Sequence, residues 1–181
     1  MDDKDPFSKG RTLKQTPGEA VYNKGDNLPV ENVSWNDVQE FIGRSKEKTG
    51  KNYRLPAETE WEYAARGGNG TPGNYTYAGS NNAGEVAWYG LSWGGSTKPV
   101  GTKAPNGLGI YDMSGNVWEW CWDWYGSYPS MAQTDPTGAS SGSNRVRRGG
   151  DYQGGSVRSA FRSSGVPSWF TYVNGFRLVR P

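Results

Sequence analysis

The apolar positions of this chain fall into two short periodic stretches, one alternating stretch, and long aperiodic ground between them. The first stretch follows Val33. Trp35, Val38, Phe41 and Ile42 recur at the spacing of one helical face, Ser34 precedes them as an N-cap, and Asp37 stands where a capping box needs its carboxylate. The pattern predicts a helix that Gly50 ends. A second helix opens at Pro56, whose missing N–H costs nothing in a first turn, with Glu58 and Glu60 at the positive end of the helix dipole. Trp61, Ala64 and Ala65 form its inward stripe, and Gly67-Gly68 terminates it.

From Gly67 to Gly109 the period is lost. Isolated rings at Tyr75, Tyr77, Trp88, Tyr89 and Trp93 punctuate Gly, Asn, Ser, Thr and Pro, which predicts irregular chain pinned by aromatics, with one short strand near Val86 to Trp88. Alternation then sets in. Trp118, Trp120, Trp122 and Trp124 lie two apart, so an extended strand places four of the nine tryptophans on one face, expected to be buried, and Glu119, Cys121 and Asp123 on the other. Two carboxylates on a central strand require cations, donors or a metal. After a loop rich in Ser, Gly and Pro from Ser127 to Asn144, Val146 and the pair Phe176 and Leu178 predict the buried faces of two short antiparallel strands. Residues 1–31 show no apolar period and read as a loosely ordered arm, with 32–181 as the folded domain. Two helices with several short strands make an α+β chain.

Composition sharpens this picture. Hydrophobic residues are only 33 % of the 181, yet aromatics reach 14 % and glycines number 27, so the core consists of few, large side chains joined by many loops. Twenty Lys and Arg against 18 Asp and Glu leave +2, too balanced to argue for nucleic acid, and no nucleic-acid partner is expected. The single cysteine, Cys121, excludes an intrachain disulfide or a cysteine cage for zinc and reads as a buried small hydrophobe. The absence of histidine removes Ser-His-Asp triads, Cys-His dyads and imidazole-ligated metals. No stretch approaches a membrane span, and charged residues rather than a signal peptide's apolar run follow Met1, so the chain reads as soluble and unexported.

Two regions carry candidate chemistry. Between Asp151 and Val173, Tyr152, Phe161, Trp169, Phe170 and Tyr172 stand among Gly and Ser without helix or strand period. Rings with two torsions give contact area at little entropic cost and small residues let the backbone adapt, which is the chemistry of binding surfaces; the competing reading has these rings fill core beneath a long loop. Arg145, Arg147, Arg148, Arg158, Arg162, Arg177 and Arg180 interleave with Gly and apolar residues as structural guanidiniums would, bracing carboxylates and loop carbonyls. Glu58, Glu60 and Glu62 complement a helix dipole, with one reaching an Arg.

Several segments together resemble one family. Pro29-Val30-Glu31-Asn32-Val33-Ser34-Trp35, the run Arg54-Leu55-Pro56-Ala57-Glu58-Thr59-Glu60-Trp61-Glu62-Tyr63-Ala64-Ala65-Arg66-Gly67-Gly68, Gly115-Asn116-Val117-Trp118-Glu119-Trp120, Arg148-Gly149-Gly150 and Gly175-Phe176-Arg177 occur in the order of the formylglycine-generating-enzyme (sulfatase-modifying factor) family. The resemblance runs from about Pro29 to Arg180 and implies a variant of the C-type lectin fold. It also marks departures. The family's catalytic members bind copper through two cysteines after Arg148-Gly149-Gly150, and Asp151 to Arg162 contains none; its ergothioneine-pathway relatives bind iron through histidines, which this chain lacks. The N-terminal part is shorter than the family's usual opening strands. The chain therefore resembles a non-catalytic branch, the variable proteins of diversity-generating retroelements, which place hypervariable residues in this C-terminal segment to bind diverse ligands, usually proteins, and which imply surface display.

In that branch, mutagenesis directed at adenines spreads Asn codons over many residue types, and no Asn stands from Asp151 to Val173. Asp151, Tyr152, Gly154, Gly155, Val157, Phe161, Gly165, Val166, Phe170, Thr171, Tyr172 and Val173 can each derive from an Asn codon by changing adenines only; Gln153 and Trp169 cannot. With Ser163, Ser164 and Ser168, these positions make up the expected ligand-facing set in the segment 151–173. Asp112, Gly115, Val117 and Glu119 match positions that in the family's enzymes hold calcium through two side chains and two backbone carbonyls, which implies a structural Ca²⁺. The alternative has Glu119 paired with an Arg of the C-terminal strands and Asp112 capping a turn. The family's other calcium site lacks its ligands between Asn81 and Pro99.

Overall fold

The computed structural model describes residues 26–70, 74–91 and 95–180; residues 1–25 of the expected arm, and Trp93, lie outside the described residues. Helix α1 (Trp35–Thr49) forms as its pattern predicts. Ser34 Oγ accepts the Asp37 amide at 3.1 Å, Asp37 Oδ2 accepts the Ser34 amide at 2.8 Å, and Gly50 closes the helix at φ +68° with its N–H on the Lys46 carbonyl. Helix α2 (Glu58–Ala65) begins two residues after Pro56. The delay has a cause: Glu60 reaches back to the Ala57 N–H at 2.8 Å, and the Glu58 N–H is taken by Asp123 at 2.7 Å, so the first turn is anchored to the strand behind it. A 3₁₀ turn (Gly68–Gly70) and a single turn α3 (Ala83–Val86) lead into β1 (Ala87–Trp88), which pairs in parallel with β2 (Ser114–Gly115).

Behind these elements stands a four-stranded sheet in the order β5-β4-β3-β6, built from β3 (Trp118–Trp124), β4 (Arg145–Arg148), β5 (Arg162–Gly165) and β6 (Asn174–Gly175). β4 runs antiparallel to both neighbours, whereas β6 is parallel to β3. The strand expected around Phe176 and Leu178 is reduced to one bridge, Arg54 to Val179, with both apolar side chains packed against the α1 core. In its place β5 forms inside the segment 151–173. Arg-Ser-Ser-Gly has no apolar alternation to announce it, because an edge strand needs only a partner's backbone.

The tryptophan face of β3 also differs from expectation. Trp120 is fully buried, but Trp118 and Trp124 are only half-buried and Trp122 is 45 % exposed, whereas Glu119, Cys121 and Asp123 are all buried. The reason lies on β4, whose Arg145 and Arg147 pair opposite Trp124 and Trp120. The Arg145 guanidinium lies 3.5 Å from the Trp124 ring centroid and 4.0 Å from that of Trp35, and Arg147 lies over Trp118, Trp120 and Trp169. A ladder of indoles and guanidiniums tolerates water at its ends, as a purely apolar face would not. The carboxylate face instead turns inward toward α2, where Trp61 and Cys121 share one core cluster with Met113 and Val146.

The last residues of the expected arm are tied to the body. The Asn27 carbonyl accepts the Val100 amide at 2.8 Å, and Asn32, the first residue of the folded domain, donates to the Thr171 carbonyl at 3.0 Å. No helix among the described residues is long and apolar enough to cross a membrane.

Candidate functional site

The segment 151–173 is anchored to the scaffold along its length, by the β5 pairing with β4, by backbone bonds such as Tyr152 N–H to the Asn116 carbonyl and Ser159 N–H to the Thr76 carbonyl, and by side chains. Arg148, fully buried at the end of β4, donates to the carbonyls of Ser159, Ala160 and Phe161 at 3.0–3.1 Å and to Glu62, with Glu58 at 3.5 Å. Arg162 makes a two-point contact with Glu58, at 2.8 and 2.6 Å. Asp151 closes a tight turn by accepting the Gln153 and Gly154 amides, both at 2.7 Å, while its other oxygen takes the Trp118 indole N–H at 2.7 Å. Further along, Asn36 donates to the Pro167 carbonyl at 3.1 Å, so the loop after β5 rests on the entry to α1.

The expected ligand-facing positions divide by burial. Gly155, Val166, Ser168, Trp169, Phe170 and Tyr172 are exposed, while Asp151, Gln153, Gly154, Phe161, Ser163, Ser164, Thr171 and Val173 are half-buried. Tyr152, Val157 and Gly165 are buried. Val157 packs with Ala83 and Ala87. A β-carbon on Gly165 would meet the Trp169 and Trp120 rings at 2.8 and 2.9 Å. Burial pushes the Tyr152 hydroxyl up to about 12, reinforced by the charges of Glu31 and Asp151.

Two residues that the sequence reading gave structural parts, without placing them at this surface, lie beneath it. Trp118 stacks its ring 5.8 Å from Phe161, and Arg147 lies 4.7 Å from the Trp169 centroid. Arg147 is 6 % exposed and bonds to Asn174 Oδ1 at 2.6 Å, Ser163 Oγ at 3.1 Å and the Ser164 carbonyl at 2.9 Å. Burial draws its pKa down to about 10, against the opposing charge of Asp151, so it remains a cation at neutral pH. Only the register of β4 against β3 and β5 assembles this floor, and register is not written in either segment alone.

The arrangement separates exposed rings from supporting ones. Replacing Phe170 and Tyr172 together by Ala is expected to leave the unfolding free energy within about 1 kcal/mol of wild type. Trp169→Ala should cost more, about 1–3 kcal/mol, since it uncovers Arg147 and Gly165. Urea titration of the two variants checks this; equal losses would return all three rings to the core.

A second group gathers at the other edge of β3. Asp112, Gly115, Val117 and Glu119 line one opening, with Arg177 beside them and Val30, Tyr111 and Phe176 at its apolar walls. Glu119 accepts the Trp61 indole N–H at 2.6 Å and the Arg177 guanidinium at 2.6 and 2.7 Å. Burial opposes the charge of Arg177, but Glu119 outweighs it and raises the pKa. Asp112, at φ +57°, accepts the Gly101 amide at 2.7 Å, and burial raises its pKa, with the Glu119 charge adding to the effect. Two carboxylates thus face one guanidinium. The excess negative charge fits a cation, although no group of three or more His, Cys, Asp or Glu side chains among the described residues could hold a metal. Any ion here depends on carbonyl oxygens for its remaining ligands.

Cys121 is fully buried, and burial pushes its thiol well above the ordinary range, which suppresses the thiolate that nucleophilic or redox chemistry needs.

Comparison with known proteins agrees with this geometry. The chain is 38 % identical over 173 residues to the formylglycine-generating enzyme of Streptomyces coelicolor, covering 84 % of this chain and 52 % of the enzyme. It is 40 % identical over 160 residues to the chaperone protein LppX of Paenibacillus barcinonensis, covering 61 % of this chain and 56 % of that protein. The chain therefore spans little more than half the length of these relatives. Among solved structures, Treponema denticola variable protein 1 superposes with a TM-score of 0.80 at 30 % identity, covering 96 % of this chain and 79 % of that one. The sulfatase-modifying factor enzyme 1-like domain matches residues 5–181, and with these relatives it establishes that the chain belongs to the formylglycine-generating-enzyme (sulfatase-modifying factor) family.

Proposed function

We propose that this chain is a non-catalytic ligand-binding member of its family, displaying a variable surface from 151–173 and taking a protein as ligand. The observation that carries the reading is the division within that segment: Trp169, Phe170 and Tyr172 are 44 %, 40 % and 42 % exposed, while Arg147, Arg148 and Asp151 hold the backbone beneath them. Exposed rings on a fixed frame give contact area without a folding cost, so they can be exchanged freely. The likeness to a Treponema variable protein supports the same reading.

The second reading is an enzyme of the formylglycine-generating type, favoured by the sequence relatives. Against it, Cys121 is the only cysteine and is fully buried, so no cysteine pair exists to bind copper. Sequencing the coding segment for 151–173 across a population of the source organism tests the first reading. We expect substitutions confined to adenine positions of a near-identical template copy; an invariant segment sinks the proposal.

We further propose that Asp112, Glu119 and the carbonyls of Gly115 and Val117 hold a structural calcium beside Arg177. Adding calcium to chelator-treated protein should raise the unfolding free energy by about 2–3 kcal/mol at a hundredfold excess over Kd. An unchanged melting temperature would show that Arg177 alone neutralises the pocket.

A further inference from the structure

A cavity of about 270 Å³ opens at the C-terminal end of β3, lined by Trp122, Asp123, Trp124, Thr137, Ser140 and Arg145 among others. None of these residues belongs to the segment 151–173, which touches the site only through the pairing of Arg145 with Gly165. Its volume suits a ligand of one ring rather than an extended one.

Arg145 decides the chemistry. It is 9 % exposed, its Nη1 donates to the Trp122 carbonyl, and its Nε is buried without a partner. No ion pair among the described residues includes it. Asp123, the one carboxylate of the lining, is 2 % exposed and gives an oxygen to the Glu58 amide, on the inward side of the strand. Burial lowers the pKa of Arg145, with Asp123 only opposing this at a distance. The guanidinium faces are covered by Trp35 and Trp124 and its Nε is shut off from solvent, which leaves Nη2 and the second Nη1 hydrogen as its remaining donors.

The other lining groups extend the same preference. The indole N–H groups of Trp122 and Trp124 and the hydroxyls of Thr137 and Ser140 make no hydrogen bond among the described residues. Arg145, Trp122 and Trp124 can only donate, and Asp123 is turned to the Glu58 amide, which calls for a carboxylate, the partner that matches two guanidinium N–H groups at two points. Trp122 is 45 % exposed and offers a flat face on which the C–H side of a saturated ring can lie. Exposed hydroxyls at Thr137 and Ser140 suit a ligand that itself bears hydroxyls.

We propose that this cavity binds an acidic sugar ring of the hexuronate class, with its carboxylate on Arg145, its ring on Trp122 and its hydroxyls toward Thr137 and Ser140. The site is independent of the ligand taken by 151–173, and each proposal stands if the other fails.

Saturation-transfer NMR and calorimetry with methyl β-D-glucuronide, on the full chain, test it. Methyl β-D-glucoside and acetate serve as comparators, the first lacking the charge and the second the ring. Saturable glucuronide binding is expected, with each comparator weaker by about tenfold or more. Arg145→Met risks unfolding and Trp122→Ala removes a ring that packs on Trp35 at 5.4 Å, so the variants are Thr137→Tyr and Ser140→Tyr, both at exposed positions; each should abolish the glucuronide signal with the melting temperature kept. No saturation, glucoside or acetate binding as well as glucuronide, or binding that survives both substitutions would overturn the assignment.

Discussion

Arg148→Met is expected to cost about 3–5 kcal/mol of unfolding free energy, the largest loss for any single charged residue here. The side chain is fully buried and joins two parts of the fold to β4: α2, through the carboxylates of Glu58 and Glu62 and the ring of Trp61 at 5.3 Å, and the carbonyls of Ser159, Ala160 and Phe161. Methionine fills much of the volume but donates nothing, so three loop carbonyls lose their donor in a site that water does not reach. Glu58 retains Arg162, and Glu62 retains Arg66 at 2.6 Å, so the carboxylates are not what fails. Glu62→Gln should accordingly cost only about 1 kcal/mol, because its side chain is 26 % exposed and solvent screens the pair. Urea unfolding of both variants measures the difference. Comparable losses would mean that the α2 ion pair, not the hold on 159–161, makes Arg148 important.

Gly115→Ala is expected to cost about 3–5 kcal/mol, by a mechanism with no charge in it. Gly115 sits at φ +79°, donates to the Gly149 carbonyl at 2.8 Å and pairs with Trp88 where β1 meets β2. A β-carbon there would overlap the Trp88 carbonyl oxygen and lie 2.9 Å from its carbon, and backbone already held in a strand pair cannot step aside. Gly50 provides the control. It has φ +68° but nothing within 4 Å of a β-carbon, so Gly50→Ala should show only the left-handed strain of about 1 kcal/mol. If the two substitutions cost the same, conformational strain alone accounts for Gly115 and the close approach of β1 is soft.

The helices were legible in the sequence because their determinants are local. Ser34 and Asp37 act across three residues and Gly50 across four, on Lys46, and all three play in the structure the parts their positions predict. The α2 start was displaced because Asp123, 65 residues away, supplies an acceptor to its first turn. β5 was missed for the opposite reason: Arg162 to Gly165 has no pattern of its own and is a strand only because β4 lies beside it. Of the binding segment, the sequence indicated the exposed rings at Trp169, Phe170 and Tyr172 but could not separate them from Tyr152, which shares their chemistry and is buried.

By itself, then, the sequence determined the local geometry, the kinds of chemistry available and the family, since capping, turn residues, the missing histidines and the ordered motifs are properties of neighbours along the chain. Only the tertiary structure decided which side of β3 faces water. Period-two spacing sorts residues into two faces but does not say which is buried; that depends on what the adjacent strand brings opposite, and β4 brings Arg145 and Arg147 to the tryptophans. The carboxylate face went inward because Trp61, Arg177 and the Glu58 amide, all distant in sequence, satisfy Glu119 and Asp123 there. Burial of polar groups is set by partners, and partners are assigned by the fold.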